Sequence, residues 1–341
     1  MKYIITLDTG TTNSRAFLWS ASKEMIGHAE RKVGVRNTAI DGNNACLKKG
    51  VKECLDTLLE MHNLTYSDIE MIIASGMITS NVGLVEIPHV VAPAGINELA
   101  SNIKPVLIPD VCPVPIWFIR GIKNNISNPD LKNYEEMDIM RGEEVESIAV
   151  LNNYPRNQEY LLVLPGSHSK FISVDKSGRI SGCLTTITGE LLSSIVSDTI
   201  IADAVGRKFI EMDSYDKDMA LEGYRCAKKV GIGRACFSGR ILSLFAVKEK
   251  NKIGNFIFGA AFENDVCALQ GTGAISLNSD VRVIISGKDV FCQVLFDILQ
   301  YEKMFAQIDI FTPKMCGYPL SAEGAFLIAD RYSSINGHGN K

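Results

Sequence analysis

Two stretches far apart in the chain carry the same pattern of apolar and polar positions. Tyr3-Ile4-Ile5-Thr6-Leu7 is a short apolar run, followed by a Gly/Thr-rich turn and a second run, Ala16-Phe17-Leu18-Trp19. Tyr160-Leu161-Leu162-Val163-Leu164 is another such run, followed by Pro165-Gly166-Ser167-His168-Ser169-Lys170 and the alternating Phe171-Ile172-Ser173-Val174. Each reads as strand, tight hydroxyl-rich turn, strand. Laid over one another, Gly10 falls on Gly166, Thr11 on Ser167 and Arg15 on Lys170. Strand pairs recur by chance, but a shared glycine, hydroxyl and basic residue inside the turn point to a duplicated unit.

Between the two units, residues 46–62 carry Leu47, Val51, Cys54, Leu55, Leu58 and Leu59 at helical spacing, one apolar stripe. Short apolar segments at 71–74, 106–108 and 116–119 predict strands. Residues 121–136 are polar, with four Asn and a Pro, and predict an exposed connection between two lobes. In the second half, 190–205, 215–229 and 290–305 read as helices, 253–269 as a buried helix and 283–286 as a strand. Residues 322–332 predict a closing helix and 333–341 a frayed tail. Strands alternating with helices predict an α/β architecture, with lobes at 1–135 and 136–341.

A chain of 341 residues suits two such lobes better than one core. A formal charge of -4 and a pI near 5.8 give no electrostatic reason to expect a nucleic-acid or membrane partner. Anionic ligands would have to be held by local donors. The first apolar run ends at Asp8, too soon for a signal peptide or a membrane span. Nine cysteines are scattered without a CxxC pair, and five histidines lack a metal-ligand spacing. Both facts favour reduced thiols in a cytoplasmic protein over disulfides or a zinc site.

Two motifs carry the chemistry. In Asp8-Thr9-Gly10-Thr11-Thr12-Asn13-Ser14-Arg15, a turn rich in Gly and hydroxyls offers backbone N–H groups and side-chain donors to phosphate oxygens. Asp8 at the strand end can hold Mg²⁺ through water, because that ion dehydrates reluctantly. Gly10, Thr11, Thr12, Asn13 and Arg15 are the candidate phosphate contacts; Asp8-Thr9-Gly10 alone would fit an ordinary hairpin equally well. In the second motif, Gly166, Ser167, His168, Ser169 and Lys170 suit the β- and γ-phosphates from the other lobe, with a purely structural His168 an even alternative. No GxxxxGK[ST] occurs, so a Walker-type nucleotidase is excluded. Gly271-Thr272-Gly273 lacks the context of a dinucleotide site.

The first turn resembles the first phosphate motif of the sugar-kinase, Hsp70 and actin superfamily. Further features narrow the resemblance to the 2-dehydro-3-deoxygalactonokinase family: Gly34-Val35-Arg36, Ala74-Ser75-Gly76-Met77, Ser80-Asn81-Val82-Gly83, Glu86-Ile87-Pro88, Met140-Arg141-Gly142-Glu143-Glu144, Leu164 to Lys170, and Thr188-Gly189-Glu190-Leu191. These stand in the family's order; the match continues more weakly through 254–263 and Ser286-Gly287. The chain departs from it at Thr9 and Phe171, where the family carries aromatic Trp, and around Gly259-Ala260-Ala261-Phe262-Glu263.

The resemblance implies two RNase H-like lobes of the actin/hexokinase/Hsp70 type with an interlobe cleft. It also implies transfer of the γ-phosphoryl of ATP, with Mg²⁺, to the C6 hydroxyl of 2-dehydro-3-deoxygalactonate. Related sugar kinases place a catalytic carboxylate just after a glycine, which here is Glu143, with Glu144 the runner-up and Arg141 steadying charge beside them. A specifically recognised carboxylate favours a bidentate arginine, and Arg36 is the candidate, a solvated loop charge being its bland alternative. Ser75, Ser80 and Asn81 would contact substrate hydroxyls. Thr185, Thr188, Gly189 and Glu190 would line the cleft, and Gly287 would approach adenine. The alternatives are a kinase for a related acid such as 2-dehydro-3-deoxygluconate, an actin-like assembly or regulatory protein, or a degenerate kinase. Oligomeric state is left open, a homodimer included.

Overall fold

The computed structural model describes residues 2–278, 280–312 and 317–337. The first half builds a six-stranded sheet. The hairpin β1 (Tyr3–Thr9) and β2 (Ser14–Trp19) continues into β3 (Met25–Arg31), all antiparallel. β4 (Ile69–Gly76) joins the free side of β1 in parallel, followed by β7 (Ile116–Phe118), also parallel, and β6 (Lys104–Val106) on the edge. Helices α1 (Val35–Asp41) and α2 (Ala45–Met61) make the crossover from β3 to β4. The stripe on α2 is buried as its spacing predicts: Leu47, Val51, Cys54, Leu55 and Leu58 have no solvent access.

The second half repeats the plan. β10 (Tyr160–Leu164), β11 (Ser169–Val174) and β12 (Ile180–Thr186) form the antiparallel meander, and β13 (Arg282–Ile285) and β14 (Gln307–Ile310) add in parallel beside β10. Both sheets therefore share the spatial order third, second, first, fourth, followed by one more parallel strand, β7 or β14, and the first sheet adds β6 at its edge. This is the duplicated RNase H-like topology of the actin, hexokinase and Hsp70 fold. The crossover from β12 to β13 is long and helical: α5 (Thr188–Asp198), α6 (Ala202–Val205), α7 (Lys217–Val230), α8 (Ile232–Phe245) and α9 (Lys250–Gly271). α10 (Asp289–Glu302) connects β13 to β14.

A small sheet stands between the halves: β5 (Val90–Val91), β8 (Ile122–Lys123) and β9 (Ile139–Met140). α3 (Ile96–Ser101) follows β5, and α4 (Glu143–Leu151) follows β9. α11 (Leu320–Gly337) turns back to pack on α4, α3, β1 and β4. One apolar cluster consequently draws on both sheets: Ile73 of the first, Leu162 and Ile284 of the second, with Val145 of α4 and Ile328 of α11 between them. No helix of the described residues is long and apolar enough to cross a membrane.

Several sequence expectations need adjusting. The connection 121–136 is exposed only in part: Ile122 and Asn124 are buried. The Asn124 amide donates to Glu136 O and Cys183 O and accepts from Cys183 N, all at 2.8–2.9 Å. The helix expected over 190–205 breaks at Thr199, whose hydroxyl donates back to Ile195 O (2.7 Å). The closing helix runs on to Gly337, and 338–341 lie outside the described residues, as does Cys316. The other eight cysteines are free thiols. α8, β3 and β14 escape a periodicity reading. On α8, Phe237, Leu244 and Phe245 are exposed while Ala235, Cys236 and Gly239 are buried, so no apolar stripe marks the inner face. β3 and β14 are edge strands with a solvated face.

Ile328→Ala should lower the unfolding free energy by about 2–5 kcal/mol, the range for a large-to-small change in a closed core. Ile335→Ala, on the same helix but 40% exposed, should stay within about 0.5 kcal/mol. Urea unfolding followed by tryptophan fluorescence measures both, and equal effects would contradict the shared layer.

Candidate active site

The first turn starts where β1 ends. Asp8 pairs with Arg15 across the hairpin and with Ser75 on β4, and Gly10 N donates to Asn13 O (3.0 Å). Two close backbone approaches seat this turn. A Cβ at Gly34, just before α1, would lie 2.4 Å from Thr11 O, and one at Gly76 (φ +85°) would lie 2.8 Å from Thr9 O. Only glycine meets both demands. The N–H groups of Val35 and Arg36 then donate to Gly10 O and Thr11 O (3.2 and 3.0 Å).

The second turn is seated the same way. A Cβ at Gly287, after β13, would lie 2.7 Å from Pro165 O, and one at Gly189, on α5, 1.9 Å from Gly166 O. Glu190 N donates to Ser167 O (3.0 Å). Thr11 and Ser167, matched in the sequence, thus receive equivalent bonds from the first turn of the helix that follows each meander. The side chains at the donor positions differ: Arg36 in one lobe, Glu190 in the other.

Residues 138–146, running from β9 into α4, touch both lobes. Gly142 (φ +111°) sits against Gly76, a Cβ there lying 3.4 Å from Gly76 Cα. On the other side, Lys170 Nζ donates to Ile139 O (2.7 Å), while Thr185 donates its hydroxyl to Asp138 Oδ1 (2.8 Å) and its amide to Oδ2. The acidic start of α4 therefore lies where the two halves meet.

Burial sets the electrostatics there. Asp8 is held above the usual carboxylate range by desolvation, against a 3.1 Å hydrogen bond from Ser321 and the charge of Arg15, whose Nη1 is 3.7 Å away. Glu144 is 1% exposed, and burial, then the neighbouring Glu143, push it up to about 8, although Gly142 N donates to it (2.8 Å). Glu146 is likewise pushed up to about 8 by burial, then by Asp8 and Glu143. Glu143 is half-buried and accepts from Arg141 N (3.1 Å). Among the described residues no three His, Cys, Asp or Glu side chains converge as a metal cage. A divalent cation would instead meet Asp8 and Glu146, two crowded carboxylates with Arg15 as counter-charge, which suits an ion that keeps most of its waters.

The other expected residues divide. Thr11, Thr12 and Arg36 are exposed beside the first turn, Asn13 is half-buried there, and among the described residues no acid pairs with Arg36. His168 lies 3.3 Å from Glu190, joining the second turn to α5. Asn81 is exposed, while Ser80 donates to its own loop at Met77 O (2.7 Å). Ser75 is buried with a hydroxyl that lacks a partner among the described residues, and the buried Ser169 hydroxyl faces the Asp265 carboxyl.

Three of the expected site residues are engaged with the protein itself. Lys170 does not stand open like Arg15: it is 7% exposed and donates to Ile139 O and to the Thr185 hydroxyl (both 2.7 Å). Arg141 is taken up in holding the loop after β4, with Nη1 to Thr79 Oγ1 (2.7 Å) and Nη2 to Ile87 O (2.8 Å). Thr188 faces inward: its hydroxyl donates to Asp265.

Two residues went unnoticed in the sequence. Glu146 stands three positions after Glu143, which places it on the same helical face; that spacing was a usable signal. Asp265, on α9, is fully buried and accepts from the hydroxyls of Thr186 and Thr188, tying α9 to the start of α5 beneath the second turn. Burial holds its carboxyl above the ordinary range. An acidic residue on the buried stripe of an otherwise apolar helix, between Phe262 and Val266, was the signal there.

A carboxyl whose pKa is higher folded than unfolded contributes stability that is complete below its unfolded value, near 4.5, and is lost as the pH rises through about 8. Glu144→Gln keeps the shape and removes the titration. Urea unfolding across that interval should show a flatter decline for the variant; a profile parallel to wild type would mean Glu144 does not titrate there.

A family model described as 2-keto-3-deoxy-galactonokinase matches residues 8–310. A search of curated proteins returns no match. Among solved structures, a Sinorhizobium meliloti protein with the provisional name 2-dehydro-3-deoxygalactonokinase superposes with a TM-score of 0.73 at 20% identity, over 98% of this chain and 99% of that one. The (R)-2-hydroxyglutaryl-CoA dehydratase component A of Acidaminococcus fermentans reaches 0.48 at 13% identity, over 97% and 99%. The activator of 2-hydroxyisocaproyl-CoA dehydratase from Clostridium difficile reaches 0.47 at 11%, over 98% and 97%.

Proposed function

The chain belongs to the 2-keto-3-deoxy-galactonokinase family and is a sugar-acid kinase, and from that premise we propose that it transfers the γ-phosphoryl group of ATP to the C6 hydroxyl of 2-keto-3-deoxy-galactonate. The observation that supports this reading most is the acidic start of α4, which meets the first half at Gly76 and Asp8 and the second half through Lys170 and Thr185.

Phosphoryl transfer asks a protein for positioning and charge neutralisation more than for covalent chemistry. On this reading the two turns hold the phosphates through backbone N–H groups and the hydroxyls of Thr11, Thr12 and Ser167. Residues 1–135 carry the acid and residues 136–341 the nucleotide, and their closure excludes water. Glu143 accepts the proton of the C6 hydroxyl as the oxygen bonds to phosphorus and the β–γ bridging oxygen departs with ADP. Glu144, buried behind it, keeps its proton and helps to set the start of α4. Asp8 and Glu146 would hold Mg²⁺, which supplies charge neutralisation at the phosphates when bound. Arg36, unpaired beside the first turn, binds the substrate carboxylate through its planar fork. Arg141 keeps the loop bearing Ser80 and Asn81 in place.

An ADP-release assay over 2-keto-3-deoxy acids and aldonic acids tests the reaction. Turnover should be greatest with the galactonate-derived acid. Preference for 2-keto-3-deoxy-gluconate would reassign the substrate, and no turnover with any acid would overturn the reading. Glu143→Gln should lower kcat by about 10²- to 10⁴-fold, the usual contribution of a general base, with Glu144→Gln affecting it far less. The opposite ranking would move the base to Glu144.

Arg36→Ala removes a charge-assisted hydrogen bond of about 1.5–3 kcal/mol. KM for the acid should rise about ten- to a hundredfold while KM for ATP stays near normal. An unchanged KM for the acid would leave Arg36 as a surface charge.

A further inference from the structure

At the end of α4 away from Glu143 the structure opens into a cavity of about 330 Å³. Eight residues of helical rise separate Glu143 from Leu151, which lines it, or roughly 12 Å. Its walls come from both halves of the molecule. Ile148 and Leu151 of α4 form an apolar floor, Arg331 comes from α11, Asn97 from the start of α3, Arg156 from the loop after α4, and Lys176 from the β11–β12 turn.

The lining has a definite chemistry. It carries three cations and, among the described residues, no Asp or Glu. Arg331 is held across the cavity by donating from Nε to Asn97 Oδ1 (2.6 Å). Arg156 and Lys176 form no ion pair with a described residue. Glu98, the acid of the adjoining groove, accepts the amide of Gly95 (2.8 Å) and so caps α3. Cations and carboxamides above an apolar floor suit a small anion that also carries hydroxyls. The volume lies at the lower end of the roughly 300–1,000 Å³ usual for small-molecule sites.

Position gives the cavity a consequence. The turn bearing Lys176 belongs to the second sheet, whereas α11 packs on the first. Next to the cavity the halves are joined by the bridge Ala94–Ile180 and by Gly95 lying against Arg179. A ligand contacting Lys176 and Arg331 together would favour one angle between the sheets. It shifts that equilibrium only by its difference in affinity for the two arrangements.

We infer that this cavity is a second, non-catalytic site for a small phosphorylated or carboxylated sugar, whose occupancy regulates turnover by biasing the arrangement of the two halves. The binding does not depend on the proposed reaction; only its effect on turnover rests on that reading.

Calorimetry on the full chain without nucleotide, with 6-phosphogluconate as the probe, tests the site apart from catalysis. Wild type, Arg36→Ala and Glu143→Gln should bind it alike. Arg156→Glu/Lys176→Glu, changing two exposed side chains, should weaken binding at least tenfold while kcat without probe stays within about twofold. The milder Lys176→Gln should weaken binding severalfold. Undiminished affinity in both variants, or loss of binding in Arg36→Ala, would place the probe elsewhere and overturn the proposal. Displacement by inorganic phosphate at equal concentration would overturn the sugar part.

Discussion

The two sheets share an apolar layer, and the site depends on it. Ile73, Leu162, Ile284, Val145 and Ile328 are all buried in one cluster, so beside its own core each half has a sheet face that is closed only together with the other. Because α4 lies inside that layer, its first turn emerges at the junction with its polar end toward the strand ends. The same packing that secures the helix strips water from Glu144 and Glu146, and that desolvation lifts their pKa values. Stability and chemistry here are consequences of one burial.

The second determinant is contact between backbones. Gly34 and Gly76 against the first turn, and Gly189 and Gly287 against the second, bring strand end, turn and helix start closer than any side chain would allow. Close approach lets each turn be held by main-chain bonds from a helix start, which leaves the side chains on that scaffold free to diverge. Arg36 and Glu190 occupy matching donor positions with opposite charge. One lobe thereby offers a cation beside its turn and the other a carboxylate paired with His168. A duplicated frame carries unlike side chains in this way.

Polar anchors complete the junction. Arg141, Lys170, Asn124 and Asp265 all have their hydrogen-bonding groups directed at neighbouring segments. Each is buried or nearly so, where an unmet donor or acceptor is costly and a satisfied one fixes geometry. Between them they hold the loop after β4, the lead into α4, the connection after β8 and the start of α5. Arg141 and Lys170 thereby tie together the segments that carry the accessible groups.

Local information determined much of this protein. Alternating apolar runs with hydroxyl-rich turns specify the two hairpins, the stripe on α2 specifies its buried face, and the order of motifs specifies the family. These depend on neighbours a few positions apart, so a linear reading recovers them. The tertiary structure decided what depends on distant contacts. It buried Glu144 while leaving Glu143 reachable, turned Lys170 and Thr188 inward, engaged Arg141 with Thr79 and Ile87, and set Asp265 beneath the second turn. It also gave α8 an inner face of Ala235, Cys236 and Gly239 that no periodicity announces. The physical reason is that the desolvation and hydrogen bonding of a charged side chain are set by whichever segments fold over it, and for these residues those segments lie tens to hundreds of positions away.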